Sequence, residues 1–312
     1  MKLIYFGSPE ESAAVLKKLV QFHEVAAVVT NPDAAHKRSS KLIPTPVSQL
    51  ATELQIPQFK FISLKKERAA EQLALYNADI YVVFSYGHII PRDVFTTPGL
   101  GTINLHPSLL PAYRGASPVQ SAIIDGVLQS GISVQTISEA LDAGDIVLQE
   151  PLNLAAHRTA GEVMSEVIER GSTMIDSAIT LLADHFVPVP QRCENVSYCS
   201  KITRETARIN WNRTSVEIYN LIRALNPKPF AWTTLQGKEI KIVNACPLDD
   251  DSLKQLCADG VVGSFVRFQK KRLVVRCAQG AIELLGLHPE GKKPVDAQAF
   301  LNGFREADGL FE

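Results

Sequence analysis

The chain is poor in the residues that mark several protein classes. Cysteine is scarce: five among 312 residues, an odd number with no close pairs. That excludes a disulfide-stapled secreted scaffold and leads us to expect reduced thiols in a cytoplasmic protein. Cys193 and Cys199 are nearest in sequence, and their spacing alone makes no metal site. No clustered metal-ligand spacing occurs elsewhere, so no metal is expected. No run approaches the ~18 consecutive apolar residues of a membrane span, so no membrane association is expected. The opening Met1–Gly7 lacks the long apolar region and small-residue cleavage site of a leader peptide and reads as a first strand. That strand runs into Gly7-Ser8-Pro9, not Gly-x-Gly-x-x-Gly, which argues against a nicotinamide or flavin cofactor.

What is present fits two domains with a sizeable core. The net charge of −1 hides an asymmetry. Residues 1–200 carry 15 Lys+Arg against 20 Asp+Glu, and residues 201–312 carry 17 against 13. A basic second half is compatible with a polyanion held mainly by one domain, and equally with uneven charge on two soluble domains. Lys2–Phe6, Glu24–Thr30 and Ala78–Ser85 read as strands. The last is a near-continuous apolar run typical of a buried parallel strand. Ser8, Pro9 and Glu11 predict a capped helix start. Helices are expected over Pro46–Leu54, Pro118–Asp125 and about Thr159–Leu182, with strands over Gly131–Ser138 and Asp145–Leu154. Residues 1–188 therefore read as an α/β domain with a Rossmann-like, doubly wound parallel sheet. Residues 189–207 are irregular and read as a linker. Residues 208–312 hold one helix, Ser215–Leu225, and short strands at Ala231–Gln236, Glu239–Ala245, Gly260–Arg267, Leu273–Arg276 and Ala281–Leu287. That pattern predicts a small OB-like β-barrel.

The most informative stretch is Gly101–Pro118, together with Leu141–Asp145. It reads as a short strand entering a structured loop. Residues two apart on a strand share a face, so Asn104 and His106 project side by side near its C-terminal end. Ligands bind at such ends in open α/β sheets. An amide can hold a developing oxyanion and an imidazole can move a proton near neutral pH, as acyl or formyl transfer requires. Asp145 is the carboxylate expected to orient the imidazole or tune its pKa. A bare Asn-x-His is also compatible with a hydrogen-bonded polar pair at a strand end. The following Ser108-Leu109-Leu110-Pro111 and Arg114-Gly115 favour a preorganised, partly apolar ligand loop.

Asn104, His106, Ser108–Pro111, Arg114-Gly115 and Leu141–Asp145 together resemble the signature of the folate-dependent formyltransferases, and the resemblance covers essentially the whole chain. It is nearest to the tRNA-directed members. The resemblance implies transfer of a formyl group from 10-formyltetrahydrofolate to the amine of methionyl initiator tRNA, by a monomeric enzyme without a metal. Asn104, His106 and Asp145 would be catalytic. Ser108, Leu109, Leu110 and Pro111 would line the folate site, with the loop Tyr86, Gly87, His88, Ile89, Ile90 as a second wall and Asp142 beside them. His88 is read as pocket wall or surface, not catalyst. Residues 31–46 form an unusually long strand-to-helix connection. Its Lys37, Arg38 and Lys41 correspond to the basic insertion of the tRNA-directed members; composition alone also allows a solvated surface loop. Arg114, Arg223, Lys270, Lys271, Arg272, Lys292 and Lys293 are further expected RNA contacts. Two departures stand out: Ala112 follows Leu-Leu-Pro where a basic residue is common, and Glu11 replaces an aromatic. An amino-sugar nucleotide acceptor or a formyltetrahydrofolate hydrolase would share the same core.

Overall fold

A computed structural model describes residues 1–35, 42–155, 157–248, 260–268, 271–304 and 308–312. Packing divides the chain into two units. The first comprises Met1–Pro118, Ser130–Asn153 and Met164–Ser200; the second comprises Val119–Gln129, Leu154–Val163 and Lys201–Glu312.

The first unit is built on seven strands: β1 (Lys2–Phe6), β2 (Glu24–Val29), β3 (Gln58–Phe59), β4 (Ile80–Val83), β5 (Thr102–His106), β6 (Gln129–Thr136) and β7 (Ile146–Asn153). Their order in the sheet is β7-β6-β5-β4-β1-β2-β3. Five strands run parallel from β3 to β5, and β6 pairs antiparallel to β5. The chain winds outward from β1 in both directions, which puts the topological switch beside β1. The apolar runs read as buried strands are buried: Leu3, Ile4, Tyr5, Phe6, Ile80 and Val82 are wholly inaccessible to solvent.

Helix α1 (Glu10–Leu19) begins without the expected serine cap. Pro9 is its N-cap, and the Ser8 hydroxyl instead accepts from the Asn31 backbone N–H at 3.1 Å and from Thr30 Oγ1 at 3.3 Å. Ser8 thus ties the β1 turn to the end of β2, which a cap reading of Ser-Pro-x-Glu does not foresee. Helix α2 (Pro46–Glu53) has the Thr45 hydroxyl as its cap, accepting from Ser48 N–H at 3.1 Å. Lys37, Arg38 and Lys41 lie outside the described residues. The described flanks of that connection pair as a two-residue antiparallel ladder, Ala34–Ala35 with Leu42–Ile43.

The stretch read as a linker is not free chain over its first part. Tyr198–Cys199 pairs parallel with Arg114–Gly115, and residues up to Ser200 pack with the first unit. Gln191 and Ser197 of this stretch bond to a loop distant in sequence, so local patterning did not reveal it.

In the second unit, β8 (Ala231–Leu235), β9 (Lys238–Pro247), β10 (Ser264–Phe268), β11 (Arg272–Arg276), β12 (Ala281–Pro289) and β13 (Asp308–Leu310) form an antiparallel sheet in the order β8-β9-β12-β11-β10-β13. It closes almost fully: Leu235 bridges Phe311, and Thr234 and Glu312 exchange backbone hydrogen bonds of 3.2 and 2.9 Å. Closure removes the open edges that would otherwise template aggregation. Trp211, Phe265 and Phe311 fill the interior, with the Trp211 and Phe311 rings stacked at 5.7 Å. The Trp211 indole N–H is satisfied by Thr233 Oγ1 at 3.0 Å. Among the described residues no helix is long and apolar enough to cross a membrane.

Candidate active site

The site forms where β5 ends. Asn104 lies opposite Gln135 of β6, and His106 lies opposite Ser133. Directly opposed residues of an antiparallel pair share a face, so the four polar side chains are gathered on one side of the sheet. All are buried: Asn104 is 9% exposed and His106 4%. Among the described residues no group hydrogen-bonds the Asn104 side-chain amide. The amide keeps some access to solvent, so a ligand oxygen can reach it.

His106 is held from two sides. Its Nε2 lies 2.9 Å from the Tyr113 carbonyl oxygen, which can only accept, so the hydrogen-bond network assigns the neutral ring an Nε2–H. Its Nδ1 lies 3.7 Å from Asp142 Oδ1, too long for a hydrogen bond but close enough for strong coupling of charge. Burial pushes the imidazole pKa below its usual value; Asp142 and the Tyr113 carbonyl pull the other way and do not fully offset it. The ring is therefore neutral at physiological pH and able to take up a proton. Burial makes its cation costly, and the facing carboxylate makes it accessible.

The carboxylate against His106 is Asp142, not Asp145. Asp142 has a positive φ of 48°, which turns its side chain back toward β5. Its Oδ2 accepts from the Gly115 backbone N–H at 2.9 Å, and its Oδ1 accepts from Gln135 Nε2 at 3.0 Å. Asp145 instead secures the hairpin through its backbone: its N–H donates to Thr136 Oγ1 at 2.9 Å, and its carbonyl accepts from Thr136 N–H at 2.8 Å. Three-residue spacing in a loop says nothing about which carboxylate turns inward; the left-handed backbone at Asp142 decides it. Gly144 permits this hairpin because a Cβ there would sit 1.7 Å from the Thr136 carbonyl oxygen.

The Ser108–Pro111 loop is rigidly bonded. Ser108 Oγ donates to the Ala112 carbonyl at 2.6 Å, and Ser133 Oγ donates to the Ser108 carbonyl at 2.6 Å. Gln149 Nε2 donates to the Leu110 carbonyl at 2.8 Å. Ser108 and Leu110 turn inward, leaving Leu109 and Pro111 half-buried. In the loop after β4, Tyr86 and Ile90 are core residues, with Tyr86 edge-on to Phe6, while Gly87, His88 and Ile89 are exposed. Asn31 lies against this loop, its Nδ2 4.0 Å from where a Gly87 Cβ would sit, and its Oδ1 is buried with no partner among the described residues.

Sequence reasoning missed Gln135 and Gln191. Gln135 carried a usable signal, since it shares strand parity with Ser133 in Gly131–Ser138. Gln191 carried none, as it lies in the polar run read as linker.

The basic residues divide into distinct groups. Arg223 is buried: its guanidinium donates to Asn220 Oδ1 at 3.0 Å and to the Arg158 carbonyl at 3.0 Å. It braces the second unit and presents no charge to a ligand, contrary to its expected RNA contact. Arg272 is held by Glu283 through bonds of 2.9 and 2.6 Å. Arg114 is half-buried, and no carboxylate pairs with it among the described residues. Lys271, Lys292 and Lys293 are exposed, and Lys270 lies outside the described residues. Among the described residues no group of three or more His, Cys, Asp or Glu side chains could hold a metal.

Comparison with known proteins adds independent findings. The family model described as "Formyl transferase" matches residues 1–179, and "Formyl transferase, C-terminal domain" matches residues 201–305. The chain is similar to the methionyl-tRNA formyltransferase of Leptospira interrogans serogroup Icterohaemorrhagiae serovar copenhageni, with 41% identity over 99% of each chain. Among solved structures it is similar to HypX from Aquifex aeolicus in complex with tetrahydrofolic acid, with TM-score 0.64 and 18% identity. That match covers 97% of this chain and 47% of HypX. It is also similar to WlaRD, a sugar 3N-formyl transferase solved with dTDP and 5-N-formyl-THF, with TM-score 0.65 and 19% identity over 94% and 98% of the two chains. At those identities the two structures establish a common fold.

Proposed function

The chain belongs to the formyl transferase family, and from that premise we propose that it moves the formyl group of 10-formyltetrahydrofolate onto the α-amine of methionyl initiator tRNA. The observation that carries the reading is the buried cluster at the end of β5: an Asn104 amide with no partner among the described residues, beside a neutral His106 that faces Asp142. The full-length likeness to a methionyl-tRNA formyltransferase supports the acceptor. That acceptor is found where translation takes place, which fits a cytoplasmic enzyme.

The residues fit a formyl donor. Asn104 offers an amide that a ligand can reach, and Asn31, which lies against Gly87, has a buried Oδ1 with no partner among the described residues. Leu109 and Pro111 offer apolar surface, and the folded backbone of Ser108–Ala112 fixes it.

In the reaction the free amine adds to the formyl carbon, forming a C–N bond while the carbonyl oxygen gains negative charge. Asn104 donates a hydrogen bond to that oxygen. His106 takes up the amine proton, and the resulting imidazolium is stabilised by Asp142 on one side and the Tyr113 carbonyl on the other. The bond from the formyl carbon to the folate nitrogen then breaks, and the proton passes to that nitrogen. The products are N-formylmethionyl-tRNA and tetrahydrofolate. The acceptor is itself the nucleophile, so no side chain is acylated. Arg114 and the exposed Lys271, Lys292 and Lys293 supply positive charge for tRNA phosphates.

The test is folate release from 10-formyltetrahydrofolate with three acceptors: methionyl initiator tRNA, an amino-sugar nucleotide, and none. Release that requires the charged tRNA, with label appearing on methionine, is the expected result. Release without an acceptor identifies a hydrolase, and release only with the sugar overturns the tRNA assignment.

A further inference from the structure

Gln191 joins more of the site than any other side chain beyond His106 and Asp142. Its Oε1 accepts from Arg114 Nε at 3.2 Å and from Arg114 Nη2 at 2.6 Å. Its Nε2 faces three oxygens: Gln135 Oε1 at 3.1 Å, the Asp142 carbonyl at 3.0 Å and the Gly144 carbonyl at 2.7 Å. An arginine can only donate and a carbonyl can only accept, so the partners fix which way the amide points. Gln135, only 1% exposed, repeats the arrangement one step further in: it accepts from Gln191 and donates to Asp142 Oδ1 at 3.0 Å.

The result is a head-to-tail chain from the Arg114 guanidinium through two amides to the carboxylate oxygen that faces His106. Each amide is polarised by the donor before it, so hydrogen bonds in such a chain strengthen one another. The same Gln191 amide pins the backbone on both sides of Ala143, and so sets the left-handed turn that aims Asp142. We propose that Gln191, acting directly on the Asp142–Gly144 backbone and through Gln135, is a positioning residue that holds the Asp142 carboxylate against His106 and links it to Arg114.

The inference rests on reading His106 and Asp142 as the proton-handling pair. It adds a residue from the segment 187–200, which touches none of the reacting atoms. The segment is well placed to act this way. Ser197 bonds the Tyr113 and Arg114 backbone, with Tyr113 N–H donating to Ser197 Oγ at 2.8 Å and Arg114 N–H donating to the Ser197 carbonyl at 2.9 Å. Cys199 Sγ donates to the Tyr113 carbonyl at 3.4 Å, the same oxygen that holds His106 Nε2. The charged groups facing the cluster are His106 on β5, Asp142 on the hairpin after β6, and Arg114 on the loop after β5. Asp145 bonds here through its backbone.

The experiment compares the full chain with Gln191→Leu, Gln191→Glu and Asp142→Asn. Two readouts are taken: His106 titration by NMR, and the pH dependence of formyl transfer. Asp142→Asn removes the charge that raises the His106 pKa, so titration moves to lower pH. Gln191→Leu releases the hairpin and moves it the same way by a smaller amount, with kcat falling ~10- to 100-fold as expected for a slightly misplaced group. KM for the formyl donor changes little. Gln191→Glu keeps two acceptors for Arg114 but removes the donors to Asp142 O, Gly144 O and Gln135, so kcat falls as in Gln191→Leu, while its added negative charge pushes His106 titration up instead of down. Melting curves establish that each variant is folded; if Gln191→Leu is not, Gln191→Glu decides through its kcat against its KM. Wild-type titration and turnover in the Gln191 variants overturn the proposal. So does a fall in kcat with His106 titration unmoved, which marks a merely structural residue. If the wild type fails with every acceptor, the functional reading fails, and the NMR titration still judges the positioning role.

Discussion

At the scale of single residues, the site depends on a balance at His106. Burial keeps the ring neutral, while Asp142 and the Tyr113 carbonyl keep its cation within reach. Asn104 is different, because its amide waits for charge that exists only during the reaction. Losing an oxyanion donor costs ~10²–10³ in rate, so Asn104→Ala should lower kcat by that factor and leave folate affinity nearly intact; single-turnover kinetics with a binding titration measures both. Asp145→Asn should leave His106 titration and kcat close to wild type, since Asp145 bonds here through its backbone. A large kcat loss in that variant would reverse the assignment of the two carboxylates. The family signature holds both aspartates. Its spacing favoured neither, and only the φ of 48° at Asp142 separates their roles.

At the scale of elements, much of the site was legible because strand parity is a strong rule. Asn104 and His106 share a face of β5 as two-residue spacing requires, and Lys2–Phe6 and Ile80–Val83 are the buried strands that their apolar runs implied. Loops were less legible, because their geometry follows from partners far along the chain. Ser8 bonds across to Thr30 and Asn31 instead of capping a helix, and Gln191 reaches Arg114 from a run without local pattern. The β6–β7 hairpin offers a direct test. Gly144→Ala drives a methyl into the Thr136 carbonyl, so we expect a loss of ~1–3 kcal/mol, as for other overpacked sites, read by chemical denaturation, together with lower activity as Asp142 is displaced. Arg223→Ala tests the inward arginine of helix α3 (Ser215–Ala224). It leaves Asn220 and two backbone carbonyls short of a donor and should cost ~1–3 kcal/mol, while tRNA affinity of the folded variant stays unchanged. Weaker tRNA binding at full stability would return Arg223 to the RNA surface.

At the scale of the whole molecule, the sequence charge asymmetry is sharpened by the side-chain partners. Arg223 is buried and Arg272 is tied to Glu283, which leaves Lys271, Lys292 and Lys293 as the exposed cations among the described residues expected to meet RNA. Each phosphate contact contributes ~0.9 to the slope of log affinity against log salt on a duplex. Replacing Lys292 or Lys293 with alanine should lower that slope by up to one such step and weaken tRNA binding, whereas Arg272→Ala should change it less; filter binding across a salt series reads this directly. The division of the chain has a different kind of consequence. Residues 119–129 and 154–163 pack in the same unit as residues 201–312. Arg223 grips the Arg158 carbonyl there, and a Cβ at Gly126 would strike Asn220 Nδ2 at 2.9 Å. A gene crossover near codon 200 would therefore inherit one body from two parents. Chimeras between relatives should fold only when all three segments travel together, although the linear map suggests a clean joint at that point.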